Sequence, residues 1–141
     1  MSDRIFLDTN VLVYLYDRDA PEKQARSTAI LENSSRTADL VISTQVLQEF
    51  YVTVTRKFSR YVSDVETISA MRSLRELLTV QIDVAMIFNA VEIGRRFQLS
   101  FWDALIIEAA RVAGCARLLT EDLQHGLRIG DLTIENPFLS N

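Results

Sequence analysis

Short runs of consecutive apolar residues alternate along this chain with longer stretches of helical periodicity. The first segment, residues 5–10, opens with such a run and stops at a carboxylate. A strand that is apolar at successive positions is typical of a parallel sheet covered on both faces. Further strands are predicted at residues 40–43, 80–82, 116–119 and 132–137. Helices are predicted through Leu15 and over residues 21–33, 45–58, 63–78, 84–97 and 101–113. The alternation predicts an α/β fold, a three-layer α/β/α sandwich with a mainly parallel sheet of four to five strands.

The composition is that of one globular domain spanning residues 1–141. Hydrophobic residues make up 48% of the chain and charged residues 24%, values that exclude a disordered chain. The single Cys115 excludes an intramolecular disulfide and a cysteine-rich zinc site, and is expected to be a small buried side chain. No uncharged apolar run reaches the roughly 20 residues of a membrane span, and the amino terminus lacks the pattern of a secretory signal. We therefore expect a cytoplasmic protein with no membrane partner.

Four of the acidic residues occupy positions that a surface acid does not usually take. They are Asp8, Glu49, Asp103 and Asp122. Asp8 and Asp122 follow buried strands, where capping or turn chemistry could account for them. Glu49 lies at the edge of an apolar helix face and could extend to solvent. Asp103 opens a nearly all-apolar helix, where Ser100 can begin a capping box, yet it projects away from the polar stripe marked by Glu108 and Arg111.

Topology makes these four weak signals into one. In an open parallel sheet, Asp8 and Asp122 lie at the carboxyl edge because each follows the end of a strand. Glu49 belongs to the early turns of a helix that leaves the same edge. Asp103 opens a helix that returns to the start of the next strand, so its first turn also lies at the carboxyl edge. Doubly wound sheets bind their ligands in the crevice at this edge.

Four carboxylates in one crevice require a counter-charge. Two like charges about 4 Å apart repel by roughly 4 kcal/mol at an effective dielectric constant near 20, whereas a helix N-terminus returns only about 0.3–1 kcal/mol. A hard divalent cation can stabilise such a cluster, and oxygen-only ligands favour Mg²⁺ or Mn²⁺ over Zn²⁺. A cation held in this way is typical of enzymes that hydrolyse or transfer phosphoryl groups.

Four segments resemble the signature blocks of PIN-domain ribonucleases, especially the VapC-type toxins of bacterial toxin–antitoxin pairs. They are LDTNVLVYL, STQVLQEFY, LSFWDALI and LLTEDLQHG, and they occur in the family's order over essentially the whole chain. The resemblance implies the α/β/α sandwich and a Mg²⁺- or Mn²⁺-dependent endoribonuclease that selects single strands and leaves 5′-phosphate and 3′-hydroxyl ends. It also implies an RNA substrate, a cognate antitoxin that blocks the crevice, and a toxin homodimer.

The resemblance also assigns roles to individual residues. The family's acidic quartet falls on Asp8, Glu49, Asp103 and Asp122. Asp8 and Asp103 are implied to bind metal directly, and the other two to bind a second ion or orient water. Small polar positions beside the acids are matched by Thr9, Asn10 and Thr120. Of the adjacent pair Glu121 and Asp122, we favour Asp122 as the carboxylate that points inward.

Two other functions stay open at this point. A catalytically silent PIN-like scaffold or co-repressor would bind a partner protein, although the quartet is complete. A phosphotransfer domain would use Asp8 as a nucleophile, but Asn10 stands where such domains usually carry a second acid. His125 stands beside a glycine in the segment LLTEDLQHG and is interpreted as a turn residue, not as a general base.

An RNA substrate must be attracted to the crevice by basic side chains, because the carboxylates repel its phosphates. Arginine outnumbers lysine 13 to 2 among the 15 basic residues, and arginine is the better fork for phosphate. Trp102, beside Asp103, could stack on a base, although a tryptophan in an apolar helix is expected in the core. The basic candidates are Arg36, Arg56, Lys57, Arg60, Arg95 and Arg96.

Overall fold

The computed structural model describes residues 3–34 and 39–139, and a six-stranded sheet forms its centre. Every neighbouring pair of strands is parallel except the last, which is antiparallel. The strands are β1 (Ile5–Leu7), β2 (Leu40–Ser43), β3 (Leu78–Val80), β4 (Arg117–Leu119), β5 (Arg128–Ile129) and β6 (Leu132–Glu135). Their order across the sheet is β3-β2-β1-β4-β6-β5.

Helices connect the first four strands and cover the sheet on both faces. Every residue of β1 and β2 is buried although successive side chains point to opposite faces. The three-layer α/β/α arrangement predicted from the sequence is therefore confirmed. The helices are α1 (Thr9–Val13), continued by a 3₁₀ turn (Tyr14–Tyr16), then α2 (Pro21–Ser34), α3 (Thr44–Lys57), α4 (Asp64–Leu74), α5 (Val84–Phe97) and α6 (Phe101–Val112).

Polar residues set the start of helices α3 to α6, because each satisfies a backbone N–H that has no partner within the helix. The Ser43 hydroxyl caps α3, the Asp83 carboxylate caps α5, and the Ser100 hydroxyl caps α6. Ser63 and Glu66 form a reciprocal capping box at the start of α4. These caps fix the residues at which α3 and α6 begin.

The sheet has six strands within the described residues and not the predicted four to five, because the short strand β5 was not predicted. Its two residues form a hairpin with β6 through Gly130, which has a positive φ of 61°. A glycine at the first position of a two-residue turn is a known hairpin signal, and Gly130-Asp131 carried that signal in the sequence. Two residues are too few to show a strand pattern by themselves.

Pairing with β2 also changes the predicted elements around β3. The predicted helix 63–78 ends at Leu74, and the predicted strand 80–82 lies two residues earlier, at Leu78–Val80. In the parallel register, Val41 faces Leu78. Leu78, which the helical pattern assigned to the end of the helix, therefore belongs to the strand. Tertiary pairing outweighs local periodicity here.

The chain order places a topological switch between β1 and β4. From β1 the chain proceeds to β2 and β3 on one side, and β4 then pairs on the other side of β1. A crevice forms at the carboxyl ends of strands at such a point. Cys115 is buried, as expected. Within the described residues, no helix has the length and apolar character needed to cross a membrane.

Candidate active site at the carboxyl edge

A cavity of about 660 Å³ opens at the carboxyl ends of β1 and β4. Its walls come from α1, the first turns of α6, one face of α3 and the loop after β4. All four acids singled out in the sequence line it. The carboxylates in its lining are Asp8, Asp17, Glu49, Asp103, Glu121 and Asp122.

Asp8 is the most deeply placed of these acids, with 5% of its surface exposed. It extends the ladder beyond β1, since its N–H donates to the Leu119 carbonyl at 3.0 Å. Its Oδ1 accepts a hydrogen bond from the Thr9 N–H at 2.7 Å, and its Oδ2 accepts one from the Thr120 hydroxyl at 2.7 Å. The capping interpretation of Asp8 therefore holds alongside its place in the cavity.

The environment of Asp8 opposes its negative charge. Burial raises the pKa of Asp8 from its ordinary 3.8 to about 7, although the two hydrogen bonds lower it. The negative charges of Asp122 and Glu49 raise the pKa further. In the absence of a cation, the carboxylate form of Asp8 is under-compensated at neutral pH.

Asn10 and Thr120 connect Asp8 to Asp122. The Asn10 side-chain amide donates to Asp122 Oδ2 at 3.0 Å and to the Thr120 hydroxyl at 3.3 Å. The Asp122 N–H donates to the same hydroxyl at 3.1 Å. The three small polar residues matched by the family resemblance thus lie directly beside the acids.

Glu49 is held from two sides. The Thr9 hydroxyl donates to Glu49 Oε1 at 2.8 Å, and the Gln45 amide donates to Glu49 Oε2 at 3.3 Å. The same amide donates to the Trp102 carbonyl at 3.2 Å, so Gln45 links α3 to the first turn of α6. Gln45 is 4% exposed, and its Oε1 has no hydrogen-bond partner. Gln45 was not singled out in the sequence. The signal that could have identified it is its position one helical turn before Glu49.

Asp103 is half-buried in the first turn of α6. Its N–H donates to the Ser100 hydroxyl at 3.1 Å, which is the predicted N-cap. Burial raises the pKa of Asp103, the contact with Ser100 lowers it, and the charge of Asp122 raises it. Asp8, Asp103 and Asp122 line the same cavity, where the charge of Asp122 acts on the other two acids.

Glu121 differs from its neighbour Asp122 in having a cationic partner. Lys23 Nζ lies 2.9 Å from Glu121 Oε2 and donates to the Tyr14 hydroxyl at 3.1 Å. The Tyr14 hydroxyl donates to the other carboxylate oxygen of Glu121. Neither residue was singled out in the sequence, although Tyr14 lies within the segment LDTNVLVYL; Lys23 lies outside the four quoted segments. Their contacts neutralise Glu121 and leave the uncompensated charge on Asp122.

The donor set of the cavity fits a hard divalent cation. Among the described residues, none of the ion pairs involves any of the four acids Asp8, Glu49, Asp103 and Asp122. Throughout the ranges that the structure covers, no three acidic, imidazole or thiolate side chains lie close enough together to enclose an ion. Mg²⁺ is usually held by one or two carboxylates with water and substrate oxygens completing its shell, so an open oxygen-lined cavity suits it.

Two interpretations of α6 are wrong. Glu108, expected on the polar stripe, is 4% exposed because α5 covers it and the Asn89 amide donates to its carboxylate at 2.9 Å. Trp102, expected in the core, is 61% exposed and lines the cavity. Helical periodicity identifies which residues share a direction, but not which direction a neighbouring helix covers.

The basic candidates and His125 are distributed differently from the acids. Of the candidates, Lys57 lines the cavity. Arg36 lies outside the described residues. His125 lines a separate pocket beside Arg26, and its Nδ1 accepts a hydrogen bond from the Asn136 N–H at 3.0 Å. That contact is consistent with the turn interpretation.

Comparison with known proteins gives one family match and several similar structures. The PIN-domain family, described as "PIN domain", matches residues 5–127. A comparison with curated proteins gives no match. A sarcin–ricin-loop-cleaving toxin, VapC20 of Mycobacterium tuberculosis, is 18% identical with a TM-score of 0.64, over 81% of this chain and 86% of its own.

Two complexes are also similar in structure. VapBC2 of Rickettsia felis, bound to a DNA fragment from its promoter, is 22% identical with a TM-score of 0.65, over 94% of this chain and 98% of its own. A toxin–antitoxin complex of Klebsiella pneumoniae is 18% identical with a TM-score of 0.69, over 95% and 98% of the two chains. At these identities the likeness establishes a shared fold.

Proposed function

This chain belongs to the PIN-domain family, and from that premise we propose that it is a Mg²⁺- or Mn²⁺-dependent endoribonuclease, the toxin of a toxin–antitoxin pair. The observation that carries the proposal is the buried, uncompensated carboxylate of Asp8. It faces Asp122 and Glu49 at the topological switch of the sheet. A cap at the start of α1 gives no reason for two further acids beside Asp8, whereas a cation bound by carboxylates does.

We assign the acids the roles that the family resemblance implies. Asp8 and Asp103 would hold the ion directly, and Glu49 and Asp122 would hold a second ion or orient water. A divalent ion bound there supplies electrophilic activation of the phosphate and a nucleophile at neutral pH. Its binding would also offset the cost of ionising Asp8, which the protein alone does not meet.

The neighbouring side chains position the acids. Thr9 and Thr120 each direct a hydroxyl hydrogen at an acid, Thr9 toward Glu49 and Thr120 toward Asp8. Asn10 orients the Asp122 carboxylate through its amide, leaving the second oxygen of Asp122 to accept a proton or a water hydrogen. These roles require only contacts among the chain's own residues.

The toxin role rests on the similar structures. The Rickettsia felis and Klebsiella pneumoniae structures are toxin–antitoxin assemblies, and we propose a cognate antitoxin and a homodimer for this chain in the cytoplasm. RNA is the proposed substrate because the similar Mycobacterium tuberculosis protein cleaves the sarcin–ricin loop. The target RNA of this chain need not be the same.

The test is cleavage of a pool of single-stranded RNA by purified protein in Mg²⁺, compared with EDTA. We expect EDTA, Asp8→Asn and Asp103→Asn each to reduce cleavage by roughly 100-fold or more. Glu92→Gln, an exposed acid on α5 outside the cavity, is the matched control. Cleavage that survives EDTA or both substitutions contradicts the mechanism. Intact RNA in all samples would favour the silent scaffold, and a phosphorylated Asp8 would favour phosphotransfer.

A further inference from the structure

Trp102 is a large apolar side chain placed where the polar cavity meets solvent. It is the sole tryptophan of the sequence, it immediately precedes Asp103, and 61% of its surface is exposed. Tryptophan buries a large apolar area when it packs in a core. An indole left open beside an acidic cavity therefore lacks the structural explanation that a buried tryptophan has.

Local contacts fix Trp102 in position. Its ring packs edge-on against Phe101, with centroids 5.1 Å apart and planes at 75°. Its backbone carbonyl accepts the hydrogen bond from Gln45, which joins this turn to α3. A flat aromatic group that is already ordered loses little conformational entropy when a ligand stacks on it.

Lys57 places a positive charge at the other end of the same cavity. Gln45, Glu49, Thr53 and Lys57 are spaced four residues apart on α3 and all line the cavity, so they form one row along its wall. Eight residues separate Lys57 from Glu49, which is about 12 Å along the helix. Lys57 is also the one lysine or arginine in the described lining.

We propose that an unpaired nucleobase stacks on Trp102 next to the acids of the cavity, and that Lys57 binds a phosphate farther along the same nucleic-acid strand. Stacking accepts any base and needs its face uncovered. The acids of the cavity repel the phosphates of a nucleic acid. The attraction therefore comes from stacking on Trp102 at one end of the cavity and from the charge of Lys57 at the other. This inference rests on the proposed nuclease function, because it concerns the same cavity.

Intrinsic fluorescence tests the stacking contact, since Trp102 is the only tryptophan. The protein carrying Asp122→Asn, in Mg²⁺, is titrated with a single-stranded RNA 12-mer of mixed sequence and with an abasic ribose-phosphate 12-mer of equal charge. We expect the RNA to quench the emission and the abasic strand to leave it nearly unchanged. Equal quenching by both strands, or no quenching at an RNA concentration that saturates binding, would overturn the stacking contact.

Steady-state cleavage tests the same contact in the otherwise unaltered protein. Trp102→Ala is expected to raise KM for the RNA about 5- to 150-fold, the range observed for loss of one stacked base. Trp102→Phe, which keeps an aromatic face, should restore KM to within about threefold of the wild type. Phe88→Ala on α5, where the ring is 68% exposed outside the cavity, is the matched control. Unchanged KM in Trp102→Ala contradicts the proposal.

Salt dependence tests the lysine. Lys57→Gln should weaken RNA binding. It should also lower the slope of log Kd against the logarithm of the salt concentration by about 0.7, the value for one phosphate contact on a single strand. Arg72→Gln, an exposed charge change on α4 outside the cavity, should leave the slope unchanged. An unchanged slope in Lys57→Gln removes Lys57 from the site. If the wild type binds and quenches with RNA but cuts none, the nuclease function fails while the stacking site stands.

Discussion

A buried hydrogen bond of 2.7 Å joins the Thr120 hydroxyl, just beyond β4, to the carboxylate of Asp8, just beyond β1. The two residues are 112 positions apart in the chain, and the central pair of parallel strands brings them together. The same hydroxyl accepts hydrogen bonds from Asn10 and from the Asp122 N–H. Thr120 is thus the common contact of the residues around the deepest acid.

Removing that hydroxyl should loosen the whole group. Thr120→Val keeps the side-chain shape but leaves Asp8 with one donor fewer and leaves the Asn10 amide without one of its acceptors. We expect a loss of about 1–3 kcal/mol in the free energy of unfolding, measured by urea denaturation, together with weaker cleavage. Thr133→Val, the same change on β6 outside the cavity, serves as control. Equal stability of Thr120→Val and wild type would show that the contact contributes little.

The raised pKa of Asp8 predicts how the stability of the metal-free protein depends on pH. Below about pH 4 the Asp8 carboxyl is protonated in the folded and unfolded states, so it contributes no difference. Between about pH 4 and 7 the unfolded chain releases a proton that the folded protein retains, so rising pH favours unfolding. Above pH 7 the loss is complete, at about 4 kcal/mol for a pKa shift from 3.8 to about 7.

Denaturation in EDTA at pH 5 and pH 8 measures this dependence. Wild type should lose more stability between the two pH values than Asp8→Asn, which has no proton to release at this position. Mg²⁺ should raise the stability of the wild type more at pH 8 than at pH 5, because it binds the ionised form. The same pH dependence in wild type and Asp8→Asn would contradict the assignment to Asp8.

The sequence predicted the parts of this protein that depend on short-range pattern and chain order. Asp8 directly follows an apolar run, Asp122 lies just past the end of another, and the order of strands and helices was enough to bring them to one edge of the sheet. Contacts between distant elements were not predictable in the same way. Glu108 is buried only because α5 lies against α6, and the register of β3 is set only by its pairing with β2.

Gln45 is predicted to matter for activity more than for stability. Gln45→Met removes two hydrogen bonds, at about 1 kcal/mol each, but also removes a buried oxygen that has no partner. We therefore expect the free energy of unfolding to change by less than about 1 kcal/mol. Cleavage should fall roughly 10-fold because Glu49 loses one of its two donors. Gln81→Met, an exposed position outside the cavity, is the control, and full activity in Gln45→Met would contradict the positioning role.

Neutralising Glu121 should change the cleavage rate little, whereas neutralising its neighbour Asp122 should lower it strongly. Glu121 is paired with Lys23 and contacted by Tyr14, so its charge is already compensated and Glu121→Gln keeps an acceptor for the tyrosine. We expect cleavage by Glu121→Gln to stay within about threefold of wild type, with a stability change of about 0–1 kcal/mol for a partly exposed pair. Asp122 has the Asn10 amide as its partner and no cation among the described ion pairs. Asp122→Asn should therefore reduce cleavage by roughly 100-fold or more, and the reverse ranking in parallel cleavage assays would assign the inward role to Glu121.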